Sequence, residues 1–345
     1  MLEPVLDLDI TDLGGAARKL QICVGNITHP DSSGQVDLLA ISCFPNDYLQ
    51  TPASIVGQLG RQGVDIGKLA RHKARDERGR WQTWVSHPIG PEAAFGRVVC
   101  FEYGHARDPA GVVANLFRAV SEFVLDSGQQ EAGTLRVPLL GTGDQGADKS
   151  RMLEAIIHQA YAHLRGSLPV RKVQIVLHAG ALGIHRLLIE AGATIEQVKS
   201  AWARTRLCVE PEFDYFVSYR RVDRSLVDRV VDSMKLRKPS LRVFLDQQVL
   251  SPGDYWKPEL IGGICNASKF LCLVTDSYVD SGECIDEFHA ALCCSRHRAG
   301  FLRPLLNLAS RDVESLPLTF RQINFIDAAC PPRKWNDVVD EVLST

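Results

Sequence analysis

Nowhere in this chain of 345 residues does an apolar run approach the ~20 residues that a membrane span needs. The opening segment, MLEPVLDLDITDLGG, holds four acidic residues and no base before Arg18, the reverse of a secretory signal's basic start. Both absences predict a cytoplasmic protein with no membrane partner. A basic block is missing as well. The formal charge is -2 with acids and bases interspersed, which gives no field of the kind that nucleic-acid binding requires. There is no CxxC pair and no Cys/His cluster at zinc spacing, so no metal is expected. The ten cysteines (Cys23, Cys43, Cys100, Cys208, Cys265, Cys272, Cys284, Cys293, Cys294, Cys330) lie mostly in apolar stretches and read as reduced core residues. Repeats and low-complexity tracts are lacking too, so domain limits must come from changes of pattern.

With 45% hydrophobic residues the chain suits two domains of ~150 residues each. The first half alternates strand-like runs (21–25, 36–42, 81–89, 97–104, 134–140) with a polar helical stretch at 53–79 and a helix at 109–127. After GTGDQG (141–146) comes the clearest helix, with Met152, Leu153, Ile156, Ile157, Ala160, Tyr161 and Leu164 on one face, then the strand VQIVLHAG at 173–180. That succession is a βαβ unit in a mixed α/β sheet. A helix at 182–202 leads into a connector at 205–211, dividing a domain at 1–205 from one at 212–345. From Phe213 the alternation restarts as five strand–helix repeats, which predicts a doubly wound, flavodoxin-like parallel sheet.

Three segments of the second domain carry chemistry: FDYFVSYRRVD (213–223), LRVFLDQQVLSPGDYW (241–256) and SKFLCLVTDSYVDSGECIDEF (268–288). Together they resemble the TIR family over about 212–343. The resemblance matches Ser218 and Tyr219 to the Ser-Tyr pair after the opening strand, Arg220 and Arg221 to the basic residues beyond it, and Asp246, Leu250, Pro252, Gly253 and Trp256 to the BB loop. SGECIDE (281–287) fits the Ser-x-Trp-Cys-x-x-Glu helix signature, which places the catalytic glutamate of NAD-cleaving members at Glu287 and puts Glu283 where the family has Trp.

Breaking the nicotinamide–ribose bond of NAD+ develops positive charge on the ribose, which a fixed carboxylate stabilises in the transition state. The leaving ring is already cationic, so no strong general acid and no cofactor is required. Glu283 stands one helical turn before Glu287, either raising its pKa or acting as a polar wall in place of Trp. Several of these residues also fit simpler roles. Glu287 fits a solvated helix face, and Arg220 and Arg221 fit a solvated strand exit as well as a pyrophosphate contact. Tyr255 and Trp256 fit loop packing, and Asp223 and Asp246 fit caps or turns.

The first half resembles a macro domain. Gly25-Asn26-Ile27-Thr28 followed by VDLLAIS matches the family's opening strand pair, and VPLLGTGDQG with its helix matches the phosphate-binding loop. In that reading Gly141, Thr142, Gly143, Asp144, Gln145 and Gly146 present backbone N–H groups to the diphosphate of an ADP-ribose-like ligand, and Asp37 contacts the adenine. Ser42-Cys43-Phe44 replaces the asparagines that the family has there, which points to binding without hydrolysis. The pairing predicts an NAD+ hydrolase or cyclase of prokaryotic immunity or stress signalling, a homo-oligomer through the TIR BB loop. The alternative is a non-enzymatic TIR–TIR interaction module.

Overall fold

The computed structural model describes residues 2–29, 36–104, 108–129, 131–166, 168–203, 210–245, 258–328 and 335–344. Two compact units divide at Ser200–Ala201. Most of the connector expected at 205–211 lies outside the described residues.

The first unit is a mixed sheet of eight strands: β1 (Glu3–Thr11), β2 (Ala17–Gly25), β3 (Val36–Cys43), β4 (Lys73–Glu77), β5 (Thr83–Ser86), β6 (Phe95–Glu102), β7 (Ala132–Pro138) and β8 (Val170–His178). They run in the order β1-β2-β8-β7-β3-β6-β5-β4. The inner five, β2 to β6 in that order, are parallel, and antiparallel strands close both edges. Parallel strands buried on both faces favour near-continuous apolar side chains, and Leu38 to Ile41 and Ile175 to Leu177 supply them.

Six helices accompany the sheet: α1 (Ile55–Arg61), α2 (Ile66–Arg71), α3 (Arg78–Trp81), α4 (Pro109–Asp126), α5 (Lys149–Gly166) and α6 (Ile184–Ala203). The expected helical stretch at 53–79 is thus two short helices and the edge strand β4. Gly63, at φ +82°, ends the first helix, and the Asp65 carboxylate accepts from the Lys68 N–H to start the second. The run expected as a strand at 81–89 begins as the end of α3, and β5 takes only its middle.

Glu122 on α4 is 1% exposed, accepts a hydrogen bond from Arg80 at 3.0 Å, and keeps its other oxygen buried without a hydrogen-bond partner among the described residues. Burial outweighs the Arg80 charge, and Glu77 adds to it, pushing this carboxyl from 4.5 up to about 7. The folded state therefore holds the proton more tightly than the unfolded one. The stabilisation is complete below pH 4.5 and is lost as the pH rises through about 7. Glu122→Gln is expected to flatten the pH dependence of thermal melting between about pH 5 and pH 8. An unaltered slope in the variant would contradict this assignment.

In the second unit five parallel strands, β9 (Phe213–Ser218), β10 (Val243–Leu245), β11 (Ala267–Val274), β12 (Leu302–Leu306) and β13 (Ile326–Asp327), run in the order β10-β9-β11-β12-β13. This is the flavodoxin-like sheet that the sequence predicts. Helices α7 (Arg224–Arg237), α8 (Pro258–Cys265), α9 (Asp276–Val279), α10 (Gly282–Ser295), α11 (Leu318–Arg321) and α12 (Trp335–Leu343) connect and cover it. On one face Phe216 stacks between Phe244 and Phe270, with centroids 5.2 and 5.4 Å away. On the other, Tyr215, Val217, Leu271, Leu273 and Leu305 pack with Val227, Val231 and Met234 of α7 and Val338, Val339 and Val342 of α12. Each large apolar side chain so buried contributes roughly 2 kcal/mol of transfer free energy. Of the eight described cysteines seven are buried. No helix among the described residues is long and apolar enough to cross a membrane.

Candidate functional site

In a doubly wound sheet ligands bind at the carboxyl ends of the strands, and β9 ends at Ser218. Its hydroxyl is buried and donates to Glu287 Oε2 at 2.5 Å, while Tyr278 Oη lies 2.8 Å from the serine Oγ itself. Glu287 sits in the second turn of α10, only 6% exposed, so it is no solvated helix face. Burial pushes the Cys272 and Cys284 thiols and the Tyr278 phenol up, and the Glu287 charge beside them adds to the shift. These neighbours stay protonated at neutral pH.

The basic residues after Ser218 lie further out. Arg220 donates to Ser281 Oγ at 3.2 Å and stands 3.7 Å from the Glu283 carboxylate. Glu283, half exposed, also accepts from Ser281 Oγ at 3.0 Å. At the start of α10 Glu283 thus pairs with Arg220. Tyr219 is half-buried and its hydroxyl accepts from Arg224 at 3.1 Å. Arg221 is exposed and opens the turn Arg221–Asp223. Asp223 closes that turn at the N-cap position of α7, as expected, but its carboxylate makes no capping bond and instead accepts from the Thr275 and Ser277 hydroxyls at 2.7 and 2.6 Å. Asp246 and Trp256 lie outside the described residues.

A second candidate site is a cleft of about 620 Å³ in the first unit, at the carboxyl ends of the parallel strands, walled by Ile27, Leu139, Val176 and Leu187. The loop between β7 and α5 forms its polar side, with Gly141, Thr142, Gly143, Asp144 and Gln145 all lining it. Gly141 and Gly146 adopt φ +67° and +71°, which tightens the loop. Several loop groups are already engaged. Gly141 N–H donates to Ser42 Oγ at 2.9 Å, the Thr142 hydroxyl to Leu139 O at 2.9 Å, and Gln145 Nε2 to Cys43 O and Tyr103 O at 3.0 and 2.8 Å. Asp144 accepts from the Thr51 hydroxyl at 3.3 Å. The N–H groups of Gly143, Asp144 and Gln145 meet no acceptor among the described residues, and these point to an anion. At the helix itself the Asp148 carboxylate accepts from Arg151 N–H at 2.8 Å.

Asp37 is a correction. It stands at the start of β3, the opposite end of the strand from Gly141, exposed, and its carboxylate accepts from Thr134 N–H at 2.7 Å. It is not among the residues that line the cleft. Thr51, Lys149 and His178 line the cleft and were not singled out from the sequence. The position of His178 at the end of β8 was the available signal. Among the described residues no group of three or more His, Cys, Asp or Glu side chains could hold a metal.

Residues 216–343 match the TIR domain family. No curated protein matches the chain. Among solved structures it is similar to the macrodomain of Oceanobacillus iheyensis with MES bound, at 12% identity, covering 58% of this chain and 99% of that one, TM-score 0.42. It is also similar to a metazoan TIR-STING receptor from C. gigas, at 17% identity over 40% of this chain and 42% of that one, TM-score 0.31. A third is the TIR domain of a Toll-related receptor from Hydra magnipapillata, at 15% identity over 38% of this chain and 99% of that one, TM-score 0.29. The family match and the five-stranded parallel sheet fall on the same segment, which is thus a TIR domain, preceded in the chain by a mixed α/β domain.

Proposed function

We propose that the TIR domain hydrolyses NAD+ at the nicotinamide–ribose bond with Glu287 as its catalytic residue. The observation that supports this best is the buried carboxylate of Glu287, fixed by Ser218 at the carboxyl end of β9. A fixed carboxylate favours the cationic ribose of the transition state over the neutral sugar, without reorganising in the step. The C1′–N bond breaks, nicotinamide leaves with the electron pair, water adds its oxygen to C1′ and a proton goes to solvent; attack by an adenine nitrogen instead gives a cyclic ADP-ribose. In keeping with the TIR resemblance, BB loops bring subunits together, and turnover rises more than linearly with protein concentration.

The cleft of the first domain takes an ADP-ribose-like diphosphate on the free amides of Gly143, Asp144 and Gln145. The proposed role of the whole is NAD+ depletion or signalling in prokaryotic immunity or stress. One observation favours a non-enzymatic TIR–TIR module instead: Glu283 in the family's Trp position is tied to Arg220 and offers no aromatic wall. Incubating the purified full chain with NAD+ over a range of protein concentrations and measuring nicotinamide separates the two. Absence of nicotinamide at every concentration leaves the interaction module.

A further inference from the structure

We infer that Tyr278, acting through Ser218, is a positioning residue for Glu287, and that Asp223 holds Tyr278 in place. The inference rests on the catalytic reading of Glu287.

A glutamate on a helix has rotamer freedom unless something selects one orientation. Here Ser218 Oγ donates to Glu287 Oε2 at 2.5 Å, across 69 residues of sequence. With its proton committed to the carboxylate, the serine oxygen can only accept from Tyr278 Oη, 2.8 Å away. The phenol proton is shared with the Cys284 carbonyl at 3.1 Å, one turn before Glu287 on the same helix. Tyr278 thus touches both the hydroxyl that orients the carboxylate and the backbone that carries it. Each donor polarises the next, which strengthens the bond to the carboxylate.

The phenol is in turn fixed from behind. Thr275 Oγ1 accepts from the Tyr278 N–H at 3.1 Å and caps α9. Thr275 and Ser277 both donate to Asp223 Oδ2, at 2.7 and 2.6 Å. Asp223 follows β9, the strand that ends in Ser218, so one carboxylate ties the exit of β9 to the turn carrying Tyr278. Tyr278 is fully buried, with the Phe320 ring edge-on at 6.4 Å. Ser218 is therefore an internal donor rather than the substrate contact that the resemblance implies. The titratable groups facing Glu287, the Cys272 thiol on β11, the Cys284 thiol on α10 and the Tyr278 phenol on α9, are held protonated by burial.

The test uses the full chain with Tyr278→Phe, Ser218→Ala and the double variant, each checked by circular dichroism and thermal melting. Tyr278→Phe and Ser218→Ala are expected to lower kcat by roughly 10- to 100-fold with KM within about twofold, as loss of orientation requires. The acid limb of the pH–rate profile moves to higher pH, because a donor to the ionised carboxylate has been weakened. The double variant falls by much less than the product of the two single losses, since the phenol acts chiefly through the serine and otherwise only on the Cys284 carbonyl. Additive losses, or Tyr278→Phe with wild-type kcat and acid limb, overturn the inference. If the wild type releases no nicotinamide, the catalytic reading fails separately. The ¹³C carboxyl titration of Glu287 by NMR then decides: a curve shifted to higher pH in Tyr278→Phe upholds the positioning, and an unshifted curve overturns it.

Discussion

Glu287→Gln is expected to lower nicotinamide release by roughly 10²–10³-fold while leaving KM for NAD+ and the melting temperature nearly unchanged. The substitution keeps the shape of the side chain and an oxygen that the Ser218 hydroxyl can still donate to, so the buried site stays satisfied. What it removes is the negative charge, and only the charge distinguishes the cationic transition state from the ground state. Glu287→Ala is the poorer variant. It would leave a void among Ser218, Tyr278 and Cys284, all buried, and costs about 2 kcal/mol of stability before catalysis is considered. Unaltered turnover in Glu287→Gln would show that the carboxylate does not act in the reaction.

The second large effect is expected at Gly141. An alanine Cβ there would fall inside the Tyr103 hydroxyl, and the phenol ring is only 4% exposed and has no room to retreat. The backbone φ of +67° adds strain of about 1–2 kcal/mol for any L side chain. Gly141→Ala should therefore displace the loop, break the bonds from Gly141 N–H to Ser42 and from Ala147 N–H to Gly141 O, and weaken ADP-ribose binding at least ~10-fold. Gly79→Ala, at a position that does not line the cleft and with nothing within 4 Å of its Cβ, serves as the control. Calorimetric titration with ADP-ribose of full chains carrying Glu287→Gln measures the change. Equal affinity in the Gly141 variant would remove the loop from the site.

Much of the architecture was legible as periodicity. After Phe213 the inner strands β9, β11 and β12 leave a continuous apolar signature because they are buried on both faces, and the half-buried edge strands β10 and β13 show as shorter runs. The first strand shows the opposite case. Leu6, Leu8 and Ile10 alternate with Asp7 and Asp9, and Lys19 on β2 pairs with both aspartates, an edge-strand pattern that the segment's acidity masks. At 53–79 the polar composition suggested one helical stretch, and local caps at Asp65 and the turn at Gly63 decided otherwise. The Ser218–Tyr278–Glu287 cluster was invisible as a cluster. Its members stand 60 and 69 residues apart, and only the packing of α9 and α10 against the end of β9 joins them. Asp37 stands at the amino end of β3, while the Gly141 loop lies at the carboxyl ends of the strands, a separation that composition does not reveal.

The central claim is the identity of the bond that breaks, and NAD+ labelled in the nicotinamide ring tests it most directly. Incubated with the full chain, labelled NAD+ is expected to yield free labelled nicotinamide and unlabelled ADP-ribose or its cyclic form, with release falling by roughly 10²–10³-fold in Glu287→Gln. Label left in NAD+, label appearing in nicotinamide mononucleotide, or equal release by the Glu287 variant would contradict the account.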